Sequence, residues 1–160
     1  MHFASTNIQT TFILQVFLLN NFMTDIKKRS DCPISGSLDI WGDKWSLLIV
    51  RDLMFSKQCT YGDFLKSEEK IATNILASRL QMLEANDVIK KQDHPESKAK
   101  VLYRLTQKGI DLLPIMMEIN LWADKYAVLS PERKDIVAKI KKDKEAFINE
   151  KRIELMEYLK

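Results

Sequence analysis

Thr73-Asn74-Ile75-Leu76-Ala77-Ser78-Arg79-Leu80-Gln81-Met82-Leu83-Glu84-Ala85 is the stretch on which the fold of this chain turns. At about 100° per residue, Leu76, Leu80 and Leu83 share one side of a helix that Thr73 is placed to cap. Asn74, Ser78, Gln81 and Ala85 fall on the opposite side, with Ala77 beside them. Small and amide side chains suit close approach to base edges, because a helix entering the major groove must not be blocked by bulk. Asn and Gln can meet an adenine edge with two hydrogen bonds, and Ser can donate to a purine or a phosphate. Arg79 sits on the flank, where a phosphate or a salt bridge is expected. The plainer alternative is a polar helix face that is simply solvated.

Upstream, Leu38, Trp41, Trp45, Leu48 and Ile49 recur at helical spacing and predict one long helix over residues 38–54, capped by Ser35 or Ser37. Ser56-Lys57-Gln58 interrupts the pattern. Tyr61, Phe64 and Leu65 then predict a short second helix, and residues 66–70 a polar turn. Downstream, residues 88–91 and 101–105 are β-prone, and residues 92–100 form a polar connection containing Pro95. Residues 88–104 hold Lys90, Lys91, Lys98, Lys100 and Arg104 against Asp93 and Glu96. A basic hairpin beside such a helix can grip the phosphate backbone or the adjacent minor groove. A solvated loop is the alternative, and His94 reads as an exposed loop histidine. Thr106 caps a further helix with Ile110, Leu113, Met117 and Leu121 on one face, which Pro114 is expected to kink. Ser130-Pro131-Glu132 starts another helix. The last thirty residues carry nine basic and seven acidic side chains and have no assigned role. Helix, short helix, turn, helix and hairpin is the order of a winged helix-turn-helix, mainly α with a small β-hairpin.

Composition agrees. The 160 residues are 46% hydrophobic and 29% charged, as in an ordinary globular chain. Four Gly and four Pro disfavour a turn-rich all-β fold. The net charge of +3 neither demands nor excludes nucleic acid, since patches rather than totals bind phosphate. Cys32 and Cys59 cannot build a disulfide framework or a four-cysteine zinc site, and His2 and His94 form no ligand cluster. There is no Gly-rich phosphate loop, paired-His motif, Cys-x-x-Cys or Ser/His/Asp set, so no enzyme chemistry, cofactor or metal is expected.

Residues 1–22 contain no Lys, Arg, Asp or Glu. A secretory signal would need a basic start and a small-residue cleavage site. A membrane span would need roughly 20 apolar residues, and Gln15 interrupts this run. Two readings stay open: an amphipathic helix added to the fold or to a dimer contact, or an extension upstream of a working start at Met23. The chain is expected in the cytoplasm, without a membrane partner. Its parts are then residues 1–22, a domain over residues 23–126, and a helical extension over residues 127–160.

Cys32-Pro33-Ile34, followed by Trp41-Gly42-Asp43-Lys44-Trp45-Ser46-Leu47-Leu48-Ile49-Val50-Arg51-Asp52-Leu53, resembles the opening of HxlR-type transcriptional regulators. Thr73-Asn74-Ile75-Leu76-Ala77-Ser78-Arg79-Leu80 is similar to their recognition helix. Val101-Leu102-Tyr103-Arg104-Leu105-Thr106-Gln107-Lys108-Gly109 resembles their second wing strand and the helix after it, and Trp122 matches a tryptophan further on. The resemblance covers residues 32–126. It implies a homodimeric bacterial regulator with N- and C-terminal dimerisation helices, whose partners are double-stranded DNA and a second copy of itself. On that footing Thr73, Asn74, Ala77, Ser78, Arg79 and Gln81, with Lys90, Lys91, Lys98, Lys100 and Arg104, would meet DNA. Leu113, Met117, Leu121 and Trp122 would bury across the two-fold axis. A pseudo-palindromic operator would present half-sites about 10 bp apart or a multiple of it. No small-molecule effector is identified.

Three departures stand out. Asp87 replaces the Gly usual at the turn into the wing, where Asp tolerates left-handed backbone. Ser97-Lys98-Ala99-Lys100 replaces a Pro-containing approach to the second strand, and Thr60-Tyr61 replaces an Arg-Phe pair. Some family members use a cysteine at the place of Cys32 as a sensor of disulfide stress or electrophiles, and Lys27, Lys28 and Arg29 would favour its thiolate. A small packed residue is the alternative for Cys32. Nothing in the sequence supports pairing it with Cys59. A winged-helix module used for protein contacts, without specific DNA binding, is the competing function.

Overall fold

Gly42 and Asp43 split the apolar stripe that the periodicity carries through residues 38–54. In the computed structural model, whose described residues are 30–159, α1 covers Pro33–Trp41 and α2 covers Lys44–Ser56. The Asp43 carboxylate captures the Trp45 and Ser46 amides at 3.0 and 3.2 Å, so a new helix starts there. Ser35 and Ser37 lie inside α1 rather than capping it. The chain divides into two compact units, Met1–Asp39 and Ile40–Lys160. In the first, residues 30–39 are described: the Gly36 amide donates to the Cys32 carbonyl (3.1 Å), and the Cys32 amide donates to Ser30 Oγ (3.3 Å). The expectations for residues 1–22, Met23 and the cations Lys27, Lys28 and Arg29 lie outside the described residues.

In the second unit, α2 is followed by β1 (Cys59–Thr60) and α3 (Tyr61–Leu65). Thr60 and Asp63 form a reciprocal capping box at the start of α3. The long helix that decides the fold is α4, Thr73–Ala85. Its N-cap is Ala72, with no side-chain cap bond, so Thr73 is the first helical residue rather than the cap. Tyr61 holds this end instead: its hydroxyl donates to the Thr73 carbonyl at 2.7 Å. At the far end Asp87 adopts φ 55°, the left-handed turn expected of it, and leads into the wing.

The wing is β2 (Ile89–His94) and β3 (Ser97–Leu105), joined through Pro95 and Glu96 alone. The nine-residue connection expected from composition is mostly strand, because a solvated ribbon has no buried face and leaves no hydrophobic alternation to read. β1 pairs with the other edge of β3, Cys59 opposite Tyr103 and Thr60 opposite Leu102, giving the antiparallel order β1-β3-β2.

Thr106 caps α5 (Gln107–Ile110) as predicted, its hydroxyl accepting from the Gly109 amide at 3.2 Å. A Cβ on Gly109 would sit 2.2 Å from the Val88 carbonyl, so only glycine lets α5 lie this close to the sheet. Pro114 does not kink a continuous helix. It stands in the first turn of a separate one, α6 (Leu113–Tyr126), where its missing N–H costs nothing. Two helices complete the chain, α7 (Pro131–Lys142) and α8 (Lys144–Met156), capped by Ser130 and Asp143 and closed by a 3₁₀ turn, Glu157–Leu159.

One core joins the elements of the second unit. Val50, Leu53, Phe64, Leu76, Leu80, Leu83, Ile89, Ile110 and Met117 are buried together with Ile140, Ile148 and Leu155 of the last two helices. The final thirty residues, unassigned from sequence, are therefore part of the domain's interior packing. The same burial corrects two expected dimer residues. Leu113 and Met117, at 0% and 1% exposure, face inward within the protomer.

Candidate nucleic-acid interface

α4 presents the face that its sequence promises. Leu76, Leu80 and Leu83 are buried, while Thr73, Asn74, Ala77, Ser78 and Gln81 are exposed along the other side. Arg79 lies between the two faces. Its Nε donates to Asp43 Oδ1 at 3.0 Å, so of the phosphate or salt bridge anticipated for it, a salt bridge is present. Asp43 was not among the sequence-derived site residues. The signal available was its place as an Asp immediately before an apolar helix.

The five wing cations separate into tip and base. Lys98 and Lys100 are exposed on β3, and no ion pair of theirs occurs among the described residues. Lys91 pairs with Glu84 of α4 at 2.6 Å and lies over the Tyr103 ring. Arg104 donates through Nη1 to the Tyr158 carbonyl, and its buried Nε has no partner among the described residues. Lys90 reaches the Leu159 carbonyl at 3.5 Å. These carbonyl acceptors belong to the chain's last turn, and no side-chain pattern could have announced them. The same segment grips α2: Glu154 pairs with Lys57 at 2.8 Å, and Lys57 lies over the Tyr158 ring.

The two cysteines differ in kind. Cys32 is exposed, whereas Cys59 is buried. Burial, with the Asp52 and Asp63 carboxylates nearby, pushes the Cys59 thiol up to about 11. Among the described residues there is no group of three or more side chains suited to a metal. No described helix is long and apolar enough to cross a membrane.

A protein-family model, the HxlR-like helix-turn-helix, matches residues 40–131, more than half of the chain. The chain belongs to the HxlR family. The family expected from the resemblance is thus shown, over residues 40–131, and so is the winged helix-turn-helix. This HxlR protein is 32% identical over 96 residues to the HTH-type transcriptional regulator YodB of Bacillus subtilis (strain 168), spanning 59% of this chain and 85% of YodB. The solved reduced form of YodB aligns with a TM-score of 0.51 at 31% identity, over 61% of this chain and 95% of that one. The redox regulator HypR, in its oxidised form, aligns with a TM-score of 0.55 at 25% identity, over 61% of this chain and all of HypR. YodB is a regulator of transcription and HypR a redox regulator, and the winged domain is the part that this HxlR chain shares with them.

Proposed function

We propose that the protein is a sequence-specific, DNA-binding transcriptional regulator that works as a homodimer on a pseudo-palindromic operator. The observation that carries this is the exposed face of α4: Asn74, Ser78 and Gln81 stand outward beside Ala77, with the cationic wing tip of Lys98 and Lys100 on the same unit. The amides and hydroxyl read base edges, and the lysines hold phosphates.

The surface for the second copy is on α6. Ile115, Ile119, Trp122 and Tyr126 fall on one face of this helix and are all exposed. Trp122 and Tyr126, at 63% and 71% exposure, pack with their rings tilted at 45° and 5.1 Å between centroids. An aromatic and aliphatic stripe of this kind is an interface core in search of a partner. In this reading Trp122 belongs to the surface for the second copy. Leu121, half-buried, lies at the edge, and the stripe replaces Leu113 and Met117.

Control by oxidants or electrophiles through Cys32 is part of the same proposal. Its support is the exposure of that thiol and the redox regulation named for HypR. Diamide is expected to crosslink subunits and release DNA from the wild-type protein, and Cys32→Ser to abolish both. At pH 8, maleimide labelling read by mass spectrometry should mark Cys32 and spare Cys59 until the protein unfolds.

Selection of bound duplexes from genomic DNA, followed by titration across salt concentrations, tests the core of the reading. Affinity should fall steeply with salt, with a log–log slope of about −0.9 per phosphate contact. Gln81→Ala should relax base preference, and Lys98→Ala should weaken all duplexes alike. Absent or salt-insensitive binding would overturn the proposal.

A further inference from the structure

Asp43 does more than start α2. Its Oδ1 accepts from the Trp45 and Ser46 amides, and its Oδ2 accepts from Ser46 Oγ at 2.5 Å, with Ser46 wholly buried. Three donors from the first turn of α2 therefore lock this carboxylate in place. Burial acts to raise its pKa, but the Ser46 and Arg79 bonds outweigh that and hold it below the ordinary aspartate value. It stays ionised at neutral pH. α2 in turn is set in the core by Ile49, Val50 and Leu53. The fourth bond of Asp43 goes to Arg79 Nε, 36 residues away on α4.

A guanidinium has five donors in a rigid fork, and a contact through Nε alone leaves the Nη edge available. Among the described residues, Asp43 is the hydrogen-bond partner of Arg79, and its contact is at Nε. Arg79 is partly exposed on the flank of the outward face of α4, next to Ser78. A planar fork held from behind is suited to a phosphate, which it meets with two parallel N–H groups.

We infer that Asp43 is a positioning residue for DNA binding, which anchors Arg79 by Nε so that the Nη edge grips a duplex phosphate beside the recognition helix. The inference rests on the DNA-binding function proposed above and adds to it a residue outside the recognition helix α4. The anchor also reduces the conformational entropy that a long arginine side chain would lose on binding.

The sign of one substitution separates positioning from charge. Removing a negative charge near DNA should strengthen binding if only the overall field matters. Loss of the anchor should weaken it. The experiment uses the full chain and a fluorescent duplex recovered by the wild-type protein from genomic DNA. Asp43→Ser retains a good N-cap residue for α2 but is too short to hold Arg79. It should weaken binding by about five- to tenfold, with the thermal midpoint lowered by no more than a few degrees. Arg79→Ala should weaken binding similarly and make the salt slope shallower by about one unit. Asp43→Ser should add nothing in that background. Arg79→Lys keeps the charge, but an ammonium drawn to Asp43 has no second edge, so it should bind like Arg79→Ala. Unchanged or tighter binding by Asp43→Ser, additive losses in the double variant, or wild-type binding by Arg79→Lys would each overturn the inference. Wild-type protein that binds no duplex would instead overturn the DNA-binding function itself.

Discussion

Glu69 shows how one carboxylate ties the turn after α3 to the scaffold. Arg51 grips both of its oxygens, through Nη1 to Oε1 and through Nη2 to Oε2 at 3.1 Å, and Ser67 Oγ donates to Oε2 at 2.9 Å. The Arg51 bonds, first among the causes, hold the Glu69 carboxyl down at about 2. Its folded pKa lies below its unfolded one, so the folded state binds fewer protons in between. The resulting stabilisation is complete above about pH 4.5 and is lost as pH falls toward 2. Asp63, held at about 2 by its Thr60 bonds, follows the same sign. Thermal unfolding followed from pH 7 down to pH 2 should show a midpoint that declines across this window. Glu69→Gln should lower the midpoint at pH 7 by no more than a few degrees, because the pair is partly exposed and screened. It should also flatten the acid decline. An undiminished acid decline in that variant would show that Glu69 is not its source.

At the scale of elements, α8 and the 3₁₀ turn brace the wing. Carbonyls of Tyr158 and Leu159 receive Arg104 and Lys90 from the base of β3 and β2, while Leu155 anchors the segment in the core. Removing residues 157–160 should therefore speed hydrogen exchange at the amides of Ile89, Lys90, Tyr103 and Arg104, and leave exchange in α2 and α4 largely unchanged. Uniform exchange throughout would mean that the turn carries no bracing. Elements differ in how plainly their residues announce them. α4 was legible because three leucines repeat on one face while small polar side chains repeat on the other. Thr106 and Ser130 were legible as caps for the same local reason. The break before α2 does not show in the periodicity, because Trp41, Trp45 and Leu48 keep helical spacing across Gly42 and Asp43; the capping Asp, a matter of residue type, is the mark that spacing passes over. β1 is two residues long, too short for any period. The outward α4 residues could be read from spacing, but the anchoring of Arg79, Lys90 and Arg104 depends on partners 36, 69 and 54 residues away. Tertiary packing alone brings those together.

At the scale of the whole molecule, the proposed function would link the apolar stripe on α6 with the polar face of α4. Two winged domains joined through Ile115, Ile119, Trp122 and Tyr126 would bind the second half-site as an intramolecular event, at a high effective concentration. Ile119→Glu with Trp122→Glu should give a monomer in sedimentation equilibrium and lose most operator affinity, while a single half-site is bound about as before. A dimer that survives both changes would place the interface elsewhere. The small net charge of +3 conceals this division of labour. Cations at the wing tip face outward, whereas those at its base hold the protein together. The register of the wing adds a last consequence. Asp93 pairs with Val101 and His94 with Ser97, so residues 98–100 of β3 bulge out of the ladder. Lys98 and Lys100, both exposed, ride on that bulge. On a duplex bound as proposed, such a tip would act as a tether rather than a ruler, letting its cations follow phosphates across grooves of differing width.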